Sequence, residues 1–344
     1  MLTVYENLPD GLLACEAHEL HQVLPGPSLV HLDGQRQQPL YVSVLLHGNE
    51  ATGWQAVREV LKRYTDTQLP RALSLFIGNV EAAAQNQRFL DHQMDYNRIW
   101  KTVDMADQTE EHKMAQQVLK AMALRNPFAA IDIHNNTGIN PHYGCVNRLD
   151  HRFLHLATLF SRTVVYFTQP DTVHSLAFAP LCPSVTVECG QAGQAHGTEH
   201  ARDFIDACLR LSTIPDHPVA QHDIDLFHTV AIATIPAGIS IGFGDEEKPC
   251  DVRFVRDLDH LNFRELQRDT RIGSVAEGVS HCVAVHDANG HDVTNRYFDC
   301  SDGELRIVTP VMPSMLTVKE KAIRQDCLCY LMERHPVVNG VYSG

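Results

Sequence analysis

No stretch of this 344-residue sequence is apolar for long enough to span a bilayer. Its first residues, Met1-Leu-Thr-Val-Tyr-Glu-Asn, carry neither the basic nor the apolar region of a secretory signal. Positive charge is scarce: 28 Lys and Arg stand against 42 Asp and Glu, a formal net charge of −14. That balance disfavours nucleic acid, whose binding draws on clustered Lys and Arg. An anionic substrate would need a local group of arginines working against the global field. The ten cysteines lack the short paired spacing of a structural zinc site; Cys327-Leu-Cys329 is too close for it. Internal repeats and low-complexity tracts are missing as well. These absences lead us to expect a soluble protein of a reducing, cytoplasmic compartment, with cysteines used mostly as buried filler and no membrane or nucleic-acid partner.

What is present is ordinary globular composition, 44% hydrophobic and 20% charged, which argues against extended disorder. The length favours two domains. Through about Leu211, apolar β-branched runs alternate with stretches of helical spacing. Strands are expected at 40–46, 73–77, 128–133, 163–167 and 184–187, with a peripheral strand pair before residue 40. Helices are expected from about Thr52, over 109–124 and around 198–211, and Pro70 is expected to end the first helical unit. This is an α/β pattern with a mainly parallel sheet. Between Glu81 and Asp107 lies a long polar segment, and loops of that length in compact domains are usually functional or disordered. Ile214-Pro-Asp-His-Pro218 reads as a linker. Beyond it, short runs at 230–235, 282–286 and 305–308, separated by Gly, Pro, Asn and Asp, indicate a smaller β-rich domain. We therefore divide the chain into a catalytic α/β domain, 1–215, and a β-rich C-terminal domain, 216–344.

Three expected strands end on groups able to bind a metal or move a proton. Tyr41-Val-Ser-Val-Leu-Leu runs into His47, with Glu50 three residues on; the 128–133 run ends at His134; Ser184-Val-Thr-Val187 ends at Glu188. In a parallel sheet such ends share one edge, where open α/β folds build their sites. Catalytic zinc takes three protein ligands and keeps one position open. His47, Glu50 and His134 would supply them, one zinc ion per chain. Glu188 is then left as a general base that activates water and hands the proton to a leaving amine. Whether Asp132 orients a ligand from behind is open at this level. The polar segment adds Arg88 and Arg98, one guanidinium suited to a developing oxyanion and another to a substrate carboxylate. His142 and Tyr143 are close enough in sequence to His134 to line the pocket. The remaining histidines, His174, His196 and His200 among them, are read as surface residues.

Together these motifs carry a family resemblance. His47-Gly-Asn-Glu50-Ala-Thr-Gly53 resembles the metal motif of the succinylglutamate desuccinylase/aspartoacylase family, relatives of zinc carboxypeptidases. Asn79, Arg88 and Asp95-Tyr-Asn97-Arg98 are similar to its "N…R…DLNR" segment, Asp132-Ile-His134-Asn to "DLHN", and Val187-Glu188-Cys-Gly190 to "EVG/ELG". The match covers about 40–210 in the family's order. The resemblance implies a zinc carboxypeptidase-like α/β fold, its mixed sheet having helices on both faces, and a C-terminal β domain that caps the pocket. It implies zinc on His47, Glu50 and His134, Glu188 as base and proton shuttle, and Arg88 polarising the scissile carbonyl. Asn97 and Arg98 would bind the carboxylate of a small anionic N-acyl amino acid. Cys189 stands where Val or Leu is usual. The expected activity is zinc-dependent deacylation of such a substrate. The alternatives are a zinc carboxypeptidase acting on peptides and a non-catalytic metal-bound sensor; a homo-oligomer is left open.

Overall fold

The alternation of side chains along the apolar runs sets the architecture, because a strand buried on both faces needs apolar residues at odd and even positions alike. In the computed structural model, which describes residues 1–245 and 248–335 and the backbone at 337, 338, 341 and 342, these runs become strands of two compact units. The first unit gathers Met1–Asn135 and His142–Asp225; the second gathers Asn136–Pro141 and Leu226–Pro336. In chain order the strands up to residue 191 are β1 (Thr3–Tyr5), β2 (Ser28–Leu32), β3 (Gly34–Val44), β4 (Leu69–Ile77), β5 (Ala129–Asn136), β6 (Tyr143–Val146), β7 (Thr163–Tyr166) and β8 (Ser184–Gln191). The helices are α1 (Thr52–Arg63), α2 (Val80–Ala84), α3 (Glu110–Arg125), α4 (His151–Phe160), α5 (His174–Phe178) and α6 (Ala195–Arg210).

The strands lie in the order β1-β2-β4-β3-β5-β8-β6-β7. Pairing is parallel in β1/β2, β3/β4, β3/β5 and β6/β7, and antiparallel in β2/β4 and β6/β8. The expected mainly parallel mixed sheet is thus present. On one face α1 and α6 pack together, and α6 also meets α4. On the other, α3 and α5 bury Met114, Val118, Met122 and Phe178 against Tyr41, Phe76 and Trp100. Helix α1 buries Trp54, Val57, Val60 and Leu61, the stripe its 3.6-residue spacing requires. Each aliphatic side chain of that stripe contributes about 1.5–3 kcal/mol by leaving water.

Pro70 does not end a unit; it lies inside β4. It is tolerated because β2 pairs with β4 only from Leu73 onward, so the missing N–H interrupts no ladder on that side. Helices α4 and α5 and strand β6 lie where periodicity gave no expectation of an element. Their segments are too short to carry a clear period, and tertiary packing decides their form.

His31 in β2 is a buried imidazole sharing a 2.8 Å hydrogen bond with Ser74 Oγ. Burial, reinforced by the charge of Arg125, pushes its pKa down to about 4 from 6.5. Between those values the unfolded chain binds the proton and the folded one does not, so stability falls as pH drops from 6.5 toward 4. The expected contribution is at most about 3.4 kcal/mol, at 1.36 kcal/mol per pKa unit. Urea midpoints from pH 7.5 to 4 for the parent and His31→Gln check it: the parent should lose stability more steeply. Parallel curves would refute the assignment.

The second unit holds β9 (Asp225–Thr234), β10 (Ile241–Phe243), β11 (Val252–Phe254), β12 (Arg271–Val275), β13 (Ala284–Asp287), β14 (Phe298–Asp299), β15 (Glu304–Ile307), β16 (Met312–Ser314) and β17 (Cys329–Arg334), with short helices α7 (Thr294–Tyr297) and α8 (Glu320–Gln325). Strand β9 pairs antiparallel with β13 and β17, and β17 with β16. Strands β10-β11-β12-β15-β14 form a separate sheet. One apolar core, including Phe254, Leu258, Tyr297, Leu305 and Leu331, is shared between the sheets. The β-rich character expected of this region is what the structure shows.

Candidate metal centre

Strand β3 stops at Val44, and the chain turns sharply to present His47. The turn passes through Leu45, fully buried and in the left-handed region at φ 57°. A branched residue held there is strained and persists only where its surroundings over-determine it. Here the Leu45 carbonyl accepts from Asn79 N at 2.6 Å, and the Val44 carbonyl accepts from Gly78 N. Gly48 follows because nothing larger fits: a Cβ would lie 2.3 Å from the backbone of Ala82 and Ala83 in α2. Asn79 caps that helix, its Oδ1 accepting from Ala82 N at 3.0 Å. A rigid backing thus sets the direction of His47.

The other groups arrive by strand alternation. In β5, Asp132 and His134 point to the same face as Ala130, which packs in the α3/α5 core. In β8, Ser184, Thr186 and Glu188 share one face, and Ser184 Oγ donates to the Ser175 carbonyl of α5. Tyr143 pairs directly opposite Glu188 in the β6/β8 register, so it lies on that face too. His134 and Glu188 sit within their strands rather than just beyond them, since β5 runs on to Asn136 and β8 to Gln191.

His47, Glu50 and His134 converge, one ligand-type atom from each lying within 4.8 Å of the others. Glu50 is the centre. Its Oε1 is 2.8 Å from His47 Nδ1, and its Oε2 is 2.8 Å from His134 Nδ1 and accepts from Asn135 N at 3.1 Å. The far nitrogen of each imidazole meets a second carboxylate: His47 Nε2 is 3.0 Å from Asp95 Oδ1, and His134 Nε2 is 2.9 Å from Asp132 Oδ2. All three of the converging residues are buried. Burial pushes the Glu50 carboxyl up, but the two imidazoles outweigh it and hold the group well below the usual range.

This donor set fits a divalent cation. If each imidazole donates Nε2–H outward to Asp95 or Asp132, its Nδ1 lone pair is left for the cluster, the tautomer that metal ligation requires. Two imidazoles, one carboxylate and two carboxylates behind the imidazoles make a set suited to zinc. Asp132 thus stands behind His134, and Asp95 stands behind His47, a pairing the sequence reading missed. The two residues are 48 positions apart, and no local spacing marks them as partners.

Glu188 is buried, and burial, reinforced by the Glu50 and Asp132 carboxylates against the pull of His134 and His47, raises its pKa to about 7. Arg88 is held by Asp95, whose Oδ2 accepts from Nε at 3.1 Å and Nη2 at 2.9 Å. Asp95 thus joins one imidazole to one guanidinium. Asn97 N donates to Asp95 Oδ1 at 2.8 Å, and Asn97 Oδ1 accepts from His174 N at 3.0 Å, which directs its NH₂ elsewhere. Arg98 is half-buried, and its Nη1 donates to the Asn97 carbonyl.

Two histidine readings need correction. His142 turns to the other face of β6 from Tyr143. Its ring stacks on His196 and His200, at centroid distances of 5.2 and 4.8 Å, near Phe160 of α4. One position of shift in a strand reverses the face. His174 is not on the surface; it is fully buried. It stacks on Tyr41 and Phe178, hydrogen-bonds Tyr41 Oη at 3.1 Å, and sets Nδ1 3.6 Å from Asp132 Oδ2.

Curated protein sequences give no match. Among solved structures, the chain is similar to succinylglutamate desuccinylase from Vibrio parahaemolyticus, at 14% identity and TM-score 0.57 over 89% of this chain and 85% of that one. It is similar to murine aminoacylase 3, at 16% identity and TM-score 0.51 over 87% and 96%. It also resembles the product-bound ectoine utilization protein from Ruegeria pomeroyi, at 12% identity and TM-score 0.53 over 88% and 87%. These likenesses establish a common fold. Residues 36–212, just over half of the chain, match the model of the succinylglutamate desuccinylase/aspartoacylase catalytic domain. The chain belongs to the succinylglutamate desuccinylase/aspartoacylase family, whose members hydrolyse acyl-amino acid amides.

Proposed function

We propose that this protein is a zinc-dependent amidohydrolase that removes the acyl group from a small N-acyl amino acid. The observation that carries the reading is Glu50 bridging the Nδ1 atoms of His47 and His134, at 2.8 Å on each side, with each far nitrogen on a carboxylate. His47, Glu50 and His134 would hold the ion. Zinc bound there supplies Lewis acidity toward the acyl oxygen and lowers the pKa of water.

The chain's own groups do the rest. Glu188 takes a proton from the attacking water and delivers it to the departing amine nitrogen, which completes the cleavage as a carboxylic acid and a free amine. A carboxyl raised toward neutral pH can do both, since it gains and loses the proton at similar cost. Arg88, aligned by its two bonds to Asp95, stabilises negative charge on the acyl oxygen. Asn97, through its NH₂, and Arg98, through its guanidinium, take the substrate carboxylate. Tyr143, on the face of Glu188, borders the substrate.

The test is a reconstitution. Protein stripped with a chelator should release no free amine from acetyl-, succinyl- or longer-acyl amino acids, and one equivalent of zinc should restore release. Absence of turnover across that panel, with zinc bound in stoichiometric amount, would overturn the proposal. C-terminal trimming of a peptide library by the same preparation would favour the carboxypeptidase alternative.

A further inference from the structure

Unit two contains a pair of sulfurs that the reading above does not use. Cys282 Sγ and Cys300 Sγ lie 2.8 Å apart. Cys282 is fully buried in the shared core, and Cys300 packs on that core while keeping some exposure. Each is held by the strand beside it. Cys282 precedes β13, which pairs with β9 from Ala284↔Thr234 to Asp287↔Ala231. Cys300 follows β14, which pairs with β15. The connecting segment is pinned as well: Val285 N donates to Thr294 Oγ1 at 2.9 Å, and Val293 N donates to the Val285 carbonyl at 2.9 Å. The thiols therefore meet because two different sheets place them, and not because a loose loop passes by.

We propose that Cys282 and Cys300 form a reversible dithiol/disulfide couple that ties the β13–β9 sheet to the β14–β15 sheet. A disulfide needs the sulfurs to close by only about 0.8 Å. The chemistry balances with a low-molecular-weight disulfide such as oxidised glutathione as oxidant. The Cys300 thiolate attacks one sulfur of the oxidant, breaking its S–S bond and releasing one thiolate. The Cys282 thiolate then attacks Cys300 Sγ in the mixed disulfide and releases the second. The protein gives up two protons and two electrons; the oxidant becomes two thiols. The exposed member acts first and the buried member resolves, the order that access dictates.

The ionisation of the two groups agrees with that order. The hydrogen bond with Cys282 holds the Cys300 thiol below its ordinary value against the effect of burial. The same bond and burial raise Cys282. By contrast, burial raises Cys145, Cys182, Cys189, Cys208 and Cys329. Oxidation should therefore select this pair over those five.

The experiment uses the full-length zinc-loaded chain, equilibrated with oxidised glutathione or with dithiothreitol, quenched with iodoacetamide and mapped by mass spectrometry. The oxidised sample should lose two hydrogens, yield one cross-linked peptide joining Cys282 to Cys300, and return to two alkylated peptides on reduction. Cys282→Ser should instead stop at a glutathione adduct on Cys300, because the resolving thiol is gone. If Cys282→Ser does not fold, the parent alone still decides the matter. A persistent glutathione adduct on Cys300, or alkylation at both positions after oxidation, would overturn the proposal.

Discussion

Glu188→Gln is expected to lower the turnover number for acyl-amino acid cleavage by about 10²–10⁴-fold, the range that a positioned general acid–base contributes. The amide keeps the size of the carboxyl and occupies the same buried position on β8. What it loses is the ability to take a proton from water and return it to nitrogen. Glu188 is not among the three groups that gather on one another, so zinc stoichiometry and far-UV circular dichroism should match the parent. The diagnostic combination is full metal content, unchanged fold and lost turnover. A variant that keeps near-parental turnover would remove Glu188 from the chemistry and revive the sensor alternative.

Glu50→Gln should act on the metal itself. Both carboxylate oxygens of Glu50 are engaged, one by each imidazole, and one of them also accepts from Asn135 N. An amide offers one acceptor oxygen and turns two donor hydrogens toward the other imidazole. It also removes the negative charge that offsets a buried dication. Loss of an outer partner such as Asp132 typically costs about 10–100-fold in metal affinity. Loss of the shared central carboxylate should exceed that, and activity at limiting zinc should fall with it. Competition titration of the stripped protein against a chromophoric chelator reads the affinity directly. Affinity within tenfold of the parent would place the ion elsewhere.

Much of this site was legible before any coordinates. A β-branched run that stops on His47, with Glu50 three residues later, can only place both at the end of a strand. The pair Asp132 and His134 shares a face by the two-residue period alone. Asp95 escaped because its partner is set by the path of an irregular loop, where no period exists to read. His174 escaped because burial is a property of the fold around a residue. Nothing in Thr-Val-His174-Ser-Leu announces that Tyr41, Trp100 and Phe178 will close over it. His142 was misplaced for a narrower reason. Proximity in sequence to His134 suggested the pocket, and the pleat turned it to the other face from Tyr143.

By itself, then, the sequence determined the longer strands and helices of the catalytic half, and which ligand types stand at or near the strand ends. Hydrophobic periodicity is local and survives in any context. Tertiary structure alone decided that Asp95 joins His47 to Arg88, that His174 lies beneath Asp132, and that two sheets of the second unit bring Cys282 against Cys300. Those contacts join residues that no helical or strand period relates, and their geometry comes from how packed elements meet.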